Sequence, residues 1–439
     1  MALFKRCIGA LATAFVLAGC LSIDRETELA IANLRSGNYE SAIAWSEDLA
    51  NSSVYSKRLG EVEAGRANMI AGNNQAASAW FRKAIDEAID RSEAQPKIKI
   101  GDVGNTLLAS TVTDDRMRDY ELAPYELNLA LEYAIISEEA CSRRDEALVD
   151  CRLAAYVQDS LAETYGADIV KESENISTNA AADGVYREQT AGLDEAIAAT
   201  RNSWENPLLW WLTGVVFEAD GDRDSAEQSY KRAAAIMPGN KVFAEDAAMV
   251  AKRRSPAKGK AKLVVICGEG FVSRRYSFKA PIPVYTGFGV HIPMYRDETY
   301  RPRMVAVSLD GAAPTYAESA LNVQSLAYRD LKEHLPGIIT RNVTRAVTAA
   351  TAQAAVNASG NNYARIAVFA ANAVAAAIRE ADTRSWATLP MGEQIWRSDA
   401  IQPGTHRIDV TSGYGGVPAS ATVTLAPGET KIVYLNTKD

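Results

Sequence analysis

The most informative segment of this sequence runs from Pro207 to Asn240 and reads PLLWWLTGVVFEADGDRDSAEQSYKRAAAIMPGN. Its pattern is that of two antiparallel helices joined by a short turn. Small residues let the helices approach closely, aromatic residues fill the space between turns, and a proline ends the second helix. The positions that carry the pattern are Trp210, Gly214, Phe217, Ala226, Tyr230, Ala233 and Pro238. Because one such unit cannot bury its apolar face alone, the segment predicts neighbouring units of the same kind.

Two more units with the same spacing lie near the amino terminus. A glycine in the turn precedes an alanine by five residues in all three units, and a small residue lies twelve positions before that alanine. The matching positions are Gly37 and Ala42 in the first unit, Gly65, Gly72, Ala77 and Phe81 in the second, and Gly214, Gly221, Ala226 and Tyr230 in the third. The pattern resembles the tetratricopeptide repeat. A plain helical bundle with short Gly-Asn turns is the alternative, and both interpretations make this region helical.

The first twenty residues, MALFKRCIGALATAFVLAGC, have a basic start, an apolar centre and the ending Leu-Ala-Gly-Cys. This resembles the signal peptide and lipobox of bacterial lipoproteins, which implies cleavage after residue 19 and lipidation of Cys20. Leu21, rather than an aspartate, follows the cysteine, and in such lipoproteins this points to the outer membrane. We therefore expect a protein that is anchored by its lipid and faces the periplasm. A simple secretory signal with an incidental cysteine is the alternative.

Length and charge narrow the class of protein. A chain of 439 residues can form two or three domains. The formal charge is −8, and loss of Lys5 and Arg6 with the leader makes it −10, so nucleic acid is a poor candidate partner. We expect a leader at 1–19, a helical repeat domain at 20–250, a basic linker at 251–262 and a mixed domain at 263–439. We expect the linker to be exposed to solvent. The alternative is that it binds the phosphates of a lipid or a glycan.

Between the second and third units the helical pattern is interrupted. Lys97 to Pro124 is expected to be an extended segment, either a crossing connection or a binding element. Helical periodicity then resumes at Glu126. Cys141 and Cys151 lie at the end of one helix and within the next, where an oxidising compartment would permit a disulfide. Two small buried residues are the alternative.

The carboxy-terminal part changes character. Leu263–Cys267 predicts a buried strand, and Cys267 a packed free thiol. Helices are expected at 318–333, ended by Pro336, at 338–358 and at 363–380, the last one buried. Strands are expected at 406–410, 421–425 and 431–435 in one compact antiparallel piece. The predicted class is therefore α+β, with a tetratricopeptide-like helical module followed by a mixed domain of antiparallel strands with a helical insertion.

Four short segments carry a resemblance to a known family. They are Asn206-Pro207, LVVICGEG with Phe271-Val272, Ala-Asp-Thr-Arg-Ser-Trp at 381–386 and Leu389-Pro390. With them the chain resembles a family of uncharacterised bacterial lipoproteins that pair a tetratricopeptide-like half with a mixed domain. Ser273-Arg274-Arg275 stands where that family usually has a longer run rich in proline and lysine. The resemblance implies architecture and compartment, because the family has no established activity. In their place in the cell envelope, members of this family are similar to lipoproteins that act on peptidoglycan synthases.

Motifs with a catalytic mechanism are absent from the sequence: there is no G-x-S-x-G, H-E-x-x-H, paired C-x-x-C or phosphate loop. The three histidines, His291, His334 and His406, are far apart and are expected to be structural. Asp382, Arg384 and Trp386 are the candidate contact residues. Arg384 could hold an anion while Trp386 stacks on a sugar or partner. Alternatively, Asp382 caps a helix end and pairs with Arg384, while Trp386 packs helix against sheet, which is the interpretation we favour.

We therefore expect a protein-interaction or scaffold lipoprotein of the cell envelope that is not an enzyme and uses no metal or cofactor. Stacked helix pairs create a concave groove suited to peptides and partner surfaces. The first rival is binding of a glycan such as peptidoglycan through Trp386, Trp396 and Tyr414. The second is a glycan hydrolase, which needs two convergent carboxylates in one cleft, and the sequence nominates no such pair.

Overall fold

The computed structural model describes residues 23–90, 97–98, 116, 118–250, 252, 255–282, 289–296, 299–358, 380–415 and 418–437. Within them a helical amino-terminal half is followed by strands and one long helix, which confirms the α+β class. The leader with Cys20, most of the segment at 97–124 and nearly all of the helix predicted at 363–380 lie outside the described residues.

Most of the helices follow one another as hairpins. They are α1 (23–36), α2 (Tyr39–Ser52), α3 (Lys57–Ile70), α4 (Asn74–Ala88), α5 (Pro124–Ala140), α6 (Arg144–Ser177), α7 (Ala180–Thr190), α8 (Leu193–Ile197), α9 (Pro207–Asp220), α10 (Arg223–Ile236), α11 (Lys241–Met249) and α12 (Val323–Ala358). The quoted segment is the hairpin α9–α10, and α10 ends at Ile236, two residues before Pro238.

The three predicted turns share one geometry. Gly37, Gly72 and Gly221 have φ values of 82°, 84° and 92°, in the left-handed region that favours glycine. In each turn the N–H of the next residue donates to the carbonyl five residues earlier, at 2.8 to 2.9 Å. This is the hydrogen bond of a helix that ends on a left-handed glycine. The three units are therefore helical hairpins that share one turn geometry.

Close packing between paired helices depends on two other glycines. A Cβ atom at Gly214 would lie 2.6 Å from the ring of Tyr230, and one at Gly65 would lie 2.5 Å from the ring of Phe81. Both rings are fully buried. The alanines of the pattern, Ala42, Ala77 and Ala226, are buried as well. The small and aromatic positions therefore meet between the helices, as the sequence predicts.

A fourth hairpin, α5–α6, uses a turn without glycine. Ser142 has a φ of 59°, and the N–H of Arg143 donates to the Glu138 carbonyl at 2.9 Å. The neighbouring cysteines are free, so the structure contains no disulfide between Cys141 and Cys151. Cys151 is the eighth residue of α6, about 10 Å along that helix from the turn. A disulfide needs Cα atoms less than about 7 Å apart.

The described strands form two four-stranded sheets and two small hairpins. Their bounds are β1 (Ile89–Asp90), β2 (Lys97–Ile98), β3 (Ala261–Glu269), β4 (Arg275–Pro281), β5 (Gly289–Tyr295), β6 (Ala306–Leu309), β7 (Thr315–Tyr316), β8 (Glu318–Leu321), β9 (Gly392–Ile401), β10 (Gly404–Thr411), β11 (Ala419–Leu425) and β12 (Thr430–Thr437). The first sheet has the order β12-β3-β9-β8 and the second the order β11-β10-β6-β7. The hairpins are β1–β2 and β4–β5.

The apolar run in β3 is explained by burial on both faces. All nine residues of β3 are buried. Val264 and Ile266 face a core shared with the helices, whereas Leu263 and Val265 face a second core between the two sheets. Alternate residues of a strand point to opposite faces, so a strand covered on both sides is continuously apolar. The helical half and the first sheet therefore share one hydrophobic core.

The long helix α12 corrects the prediction of two helices separated at Pro336. Residues 318–321 form β8, and α12 then continues without interruption through Pro336. The helix packs along α6, α7 and α8. A Cβ at Gly337 would lie 2.6 Å from the Glu172 carboxylate of α6, so glycine permits this close approach of the two helices. Tertiary contacts thus hold together a helix that proline would end in isolation.

Two further expectations are corrected in the sheets. β10 and β11 pair antiparallel, but β12 leaves them and pairs parallel with β3. The turn before β12 directs it there, because the Gly428 N–H donates to the Lys260 carbonyl and the Lys262 N–H to the Glu429 carbonyl. The strand β3 begins at Ala261, so Ala261 and Lys262 are buried strand residues rather than solvated linker.

Candidate functional site: the inner face of the helical repeats

The first helices of three hairpins, α3, α5 and α9, are buried on nearly all sides. Of α3, 11 of 14 residues are buried, and of α5, 16 of 17, whereas α4 buries 6 of 15 and α10 buries 4 of 14. A helix that borders solvent buries only one face. Strand β12 packs on α5, and β8 packs on α9. The helices α3, α5 and α9 therefore form an inner face that the rest of the chain covers.

The residues at 381–391, here called the 381–391 segment, lie on this inner face. Glu63 of α3 accepts a hydrogen bond from the Ala387 N–H at 2.8 Å and another from the Thr388 hydroxyl. Glu126 of α5 accepts one from the Trp386 N–H at 3.1 Å. The inner face thus holds the segment by its main chain, as a peptide-binding groove holds an extended peptide.

Trp386 is the side chain that anchors the segment. It is fully buried, with its ring 6.1 Å from Phe81 and 5.9 Å from Tyr133, edge-on to the latter. Its indole N–H donates to the Thr388 hydroxyl at 3.2 Å. Buried aromatic clusters of this kind stabilise a core. Trp386 therefore packs against α4 and α5 and offers no face to a sugar or partner.

Arg384 and Asp382 form an internal pair. The Arg384 guanidinium contacts the Asp382 carboxylate through two nitrogens, at 2.9 and 2.7 Å. It also donates to the Tyr55 carbonyl at 2.6 Å and to the Arg118 carbonyl at 3.0 Å. The geometry agrees with the structural interpretation, in which this cluster fastens the segment to the repeats. The helix that Asp382 would cap lies outside the described residues.

Arg66 joins the repeats to the last strand. Its guanidinium lies between the rings of Tyr133 and Tyr434, at 4.6 and 4.7 Å from their centres. It donates to the Tyr434 hydroxyl at 2.8 Å, to the Asn436 side chain at 2.7 Å and to the Thr388 carbonyl at 3.2 Å. A buried arginine is tolerated when its donors are satisfied in this way.

Beside Arg66 lies a pair of buried carboxyl groups, Glu132 of α5 and Glu393 of β9. Burial raises the pKa of both, and the neighbouring Glu393 raises that of Glu132 further. The proximity of Glu393 therefore favours the neutral, protonated form of Glu132. Asn206 donates to Glu132 at 2.8 Å, and the Tyr133 hydroxyl donates to Glu393 at 3.1 Å. Both acids are fully buried, so they leave no room for the sugar and water that glycan hydrolysis needs.

The histidines lie in three separate environments. His334 contacts Asp330 at 3.3 Å, His406 contacts Asp310 at 2.7 Å, and His291 contacts Ser277 at 3.2 Å. Burial lowers the pKa of His334, but Asp330 outweighs this effect, and the pKa rises to about 9. Within the described residues no group of three or more His, Cys, Asp or Glu side chains could hold a metal ion.

The two remaining aromatic candidates lie in different sheets: Trp396 is on β9 of the first sheet, and Tyr414 follows β10 of the second. Tyr414 is 37% exposed, stacks with Tyr300 at 6.3 Å and lies under the Arg303 guanidinium at 4.3 Å. Trp396 is only partly buried, and its indole N–H donates to the Thr315 hydroxyl at 2.7 Å. Tyr316 beside Thr315 is 58% exposed. Unlike Trp386, which is fully buried, these residues are partly or largely exposed.

Several residues of the inner face were not predicted from the sequence. They are Glu63, Arg66, Glu126, Glu132 and Glu393. A signal existed, because α3 and α5 carry charged residues among apolar ones that are spread around the whole helix. Charges on a helix without a polar face must be paired inside the protein.

Comparison with known protein families, curated proteins and solved structures gives no match to this chain. No helix within the described part of the chain is long and apolar enough to cross a membrane. Fold and contacts together define an α+β protein whose inner helical face is covered by its own carboxy-terminal part.

Proposed function

We propose that this protein is a scaffold of the bacterial cell envelope, lipid-anchored at Cys20 to the outer membrane and facing the periplasm, and that it binds other envelope proteins. The observation that carries the proposal is a platform of four helical hairpins, among the described residues, that shares one core with a sheet. Glu63 and Arg66 of α3 bind the 381–391 segment and β12, so the two halves support each other. Helical-repeat platforms of this kind present large, stable surfaces to partners.

Because the 381–391 segment fills the inner face, partners bind elsewhere on the protein. A groove that holds Trp386 and Ala387 has no space for a second peptide. Partners therefore bind the outward sides of α2, α4, α6 and α10 or the second sheet. The outward helices are amphipathic, with polar residues toward solvent, which suits interfaces that form and dissociate.

In-cell crosslinking of the full chain tests this function. The lipidated protein is crosslinked, recovered and analysed by mass spectrometry beside a Cys20→Ala variant. We expect a specific envelope protein that is enriched only with the anchored form. Recovery of free protein alone, or of the same proteins with the Cys20→Ala variant, would contradict an anchored scaffold.

A second candidate function is binding of a cell-wall glycan at the exposed aromatic residues. Tyr316 and Tyr414 border solvent, and Arg303 is stacked on Tyr414, an arrangement that suits sugar rings. Sedimentation with purified sacculi tests it. A Tyr316→Ser variant should lose binding, whereas Tyr276→Ser, a 41% exposed tyrosine on β4, serves as the matched control. Equal sedimentation of both variants and the wild type would exclude this site.

A further inference from the structure

Strand β11 forms an open edge of the second sheet. It pairs with β10 in unbroken register, from Gly404 opposite Leu425 to Val410 opposite Ala419. In the order β11-β10-β6-β7 it has no neighbour on its other side among the described strands. Seven consecutive residues therefore present a row of main-chain groups for pairing.

Within the described residues, the sequence and register of this edge lack the features that usually protect edge strands. Its sequence, ASATVTL, contains no charged residue and no proline. Natural proteins commonly block such edges with lysine, proline, a bulge or a covering segment. Pro418 precedes β11 and limits the pairing segment to these seven residues without interrupting it. An unblocked edge of this length favours addition of a further strand.

The two faces of β11 differ in chemistry. Ser420, Thr422 and Thr424 are exposed on the outer face. Ala421 and Val423 are half-buried on the inner face, where Val423 borders the core between the sheets. A strand added at this edge must therefore offer hydroxyl groups on one face and small apolar groups on the other.

The strand meets that requirement itself, because its sequence is symmetric in character about Thr422. An antiparallel copy centred there would place Ala421 opposite Val423 on the inner face and Ser420 opposite Thr424 on the outer face. No charged side chain faces another across the pair. On the adjacent strand, Arg407 and Asp409 neutralise each other at 2.9 Å.

We propose that β11 pairs antiparallel with β11 of a second copy of this chain, about a two-fold axis at Thr422. Such an interface is isologous, with the same surface used by both copies. It joins two four-stranded sheets into one sheet of eight strands and gives a scaffold two equivalent sets of partner surfaces. A single strand pair buries little area, so the dimer forms in a concentration-dependent manner. The inference is independent of the proposed envelope function.

Charge swapping at the axis tests the dimer in the full-length chain in detergent solution, by sedimentation velocity. Thr422→Lys places two lysines opposite each other, and Thr422→Glu places two glutamates. Each variant alone should raise the dimer dissociation constant by about tenfold or more. An equimolar mixture should restore a dimer at least as stable as that of the wild type. Thr411→Lys, exposed on the same face at the far end of β10, is the matched control and should dimerise as the wild type does.

The outcomes are distinct. Loss in both single variants with restoration in the mixture supports pairing about Thr422. A wild-type chain that stays monomeric over the whole concentration range overturns the proposal. So does a dimer that Thr422→Lys leaves unchanged, or a mixture that fails to dimerise. Circular dichroism of each variant establishes that the exposed substitution leaves the fold intact.

Discussion

Glu63 Oε1 lies 2.8 Å from the main-chain nitrogen of Ala387, although 324 residues separate the two along the chain. The contact places a carboxylate of the second hairpin against the segment that leads into β9. It makes the inner face of the repeats an internal surface rather than a free groove.

Replacement of Trp386 by alanine should destabilise the whole protein. The indole is fully buried against Phe81 and Tyr133, and removal of such a side chain costs about 3 to 5 kcal/mol. Equilibrium unfolding in urea measures the loss. Tyr414→Ala removes an aromatic side chain that borders solvent and should cost much less. A Trp386→Ala variant as stable as the wild type but deficient in ligand binding would instead support a binding role.

Arg66→Lys should also be strongly destabilising, because lysine cannot reproduce the flat guanidinium between two tyrosine rings or its three separate hydrogen-bond partners. We expect a loss of about 2 to 4 kcal/mol in the free energy of unfolding. Arg232→Lys is the matched control: Arg232 lies over the ring of Trp210 at 4.5 Å, but its side chain is 49% exposed. Equal effects of the two substitutions would contradict the account of Arg66.

The free energy of unfolding should fall as the pH rises from about 4.5 to about 7. Burial raises the pKa of Glu63 to about 7, compared with about 4.5 in an unfolded chain. An acid whose pKa is raised on folding contributes its full stability below the unfolded pKa and loses it as the pH rises through the folded pKa. The window is therefore pH 4.5 to 7. Burial raises the pKa of Glu138, Glu172 and Glu333 to about 7 as well, which acts in the same direction.

Thermal unfolding at pH 5 and pH 8 measures this effect. Glu63→Gln mimics the protonated acid. It should reduce the difference in the free energy of unfolding between pH 5 and pH 8 by up to about 3 kcal/mol. Glu40→Gln removes a charge from the exposed side of α2 and is the control. A wild-type protein that is more stable at pH 8 than at pH 5 would contradict the prediction.

The pKa of His334 should depend on Asp330. Burial alone lowers this pKa, and the Asp330 carboxylate raises it to about 9. The stability that the pair contributes is therefore complete below about pH 6.5 and is lost as the pH rises through 9. Asp330→Asn should lower the pKa of His334 by about one unit or more, as observed in an NMR titration of the imidazole protons. In the parallel control, Asp310→Asn should lower the pKa of His406 and leave that of His334 unchanged. An unchanged His334 pKa in Asp330→Asn would be inconsistent with the pair.

Local features were predictable from the sequence where one physical requirement selects one residue type. The left-handed turns need glycine, and Gly37, Gly72 and Gly221 reveal three hairpins. Ser142 meets the same requirement without glycine, so the fourth turn carried no signal. The buried strand β3 was predictable because both of its faces are apolar. Strand β9 was not, because charged residues in GEQIWRSDAI form internal pairs that periodicity does not detect.

Long-range features were less predictable because they depend on which elements meet. Pro336 ends a helix in isolation, but packing on α6 carries α12 through it. The destination of β12 depends on the turn at 426–429 rather than on the strand itself. The sequence around Trp386 allowed two interpretations, because a tryptophan beside an arginine can contact a ligand or pack in a core. Only the position of α3 and α5 on either side distinguishes them.

Hydrogen exchange at the main-chain amides of Trp386 and Ala387 in the full-length chain tests the closed inner face most directly. These N–H groups donate to Glu126 and Glu63, so they should exchange only when the whole protein unfolds, as slowly as the amides within α5. Exchange at these two positions as fast as in exposed turns, with α5 still protected, would show that the segment leaves the groove and would contradict the account.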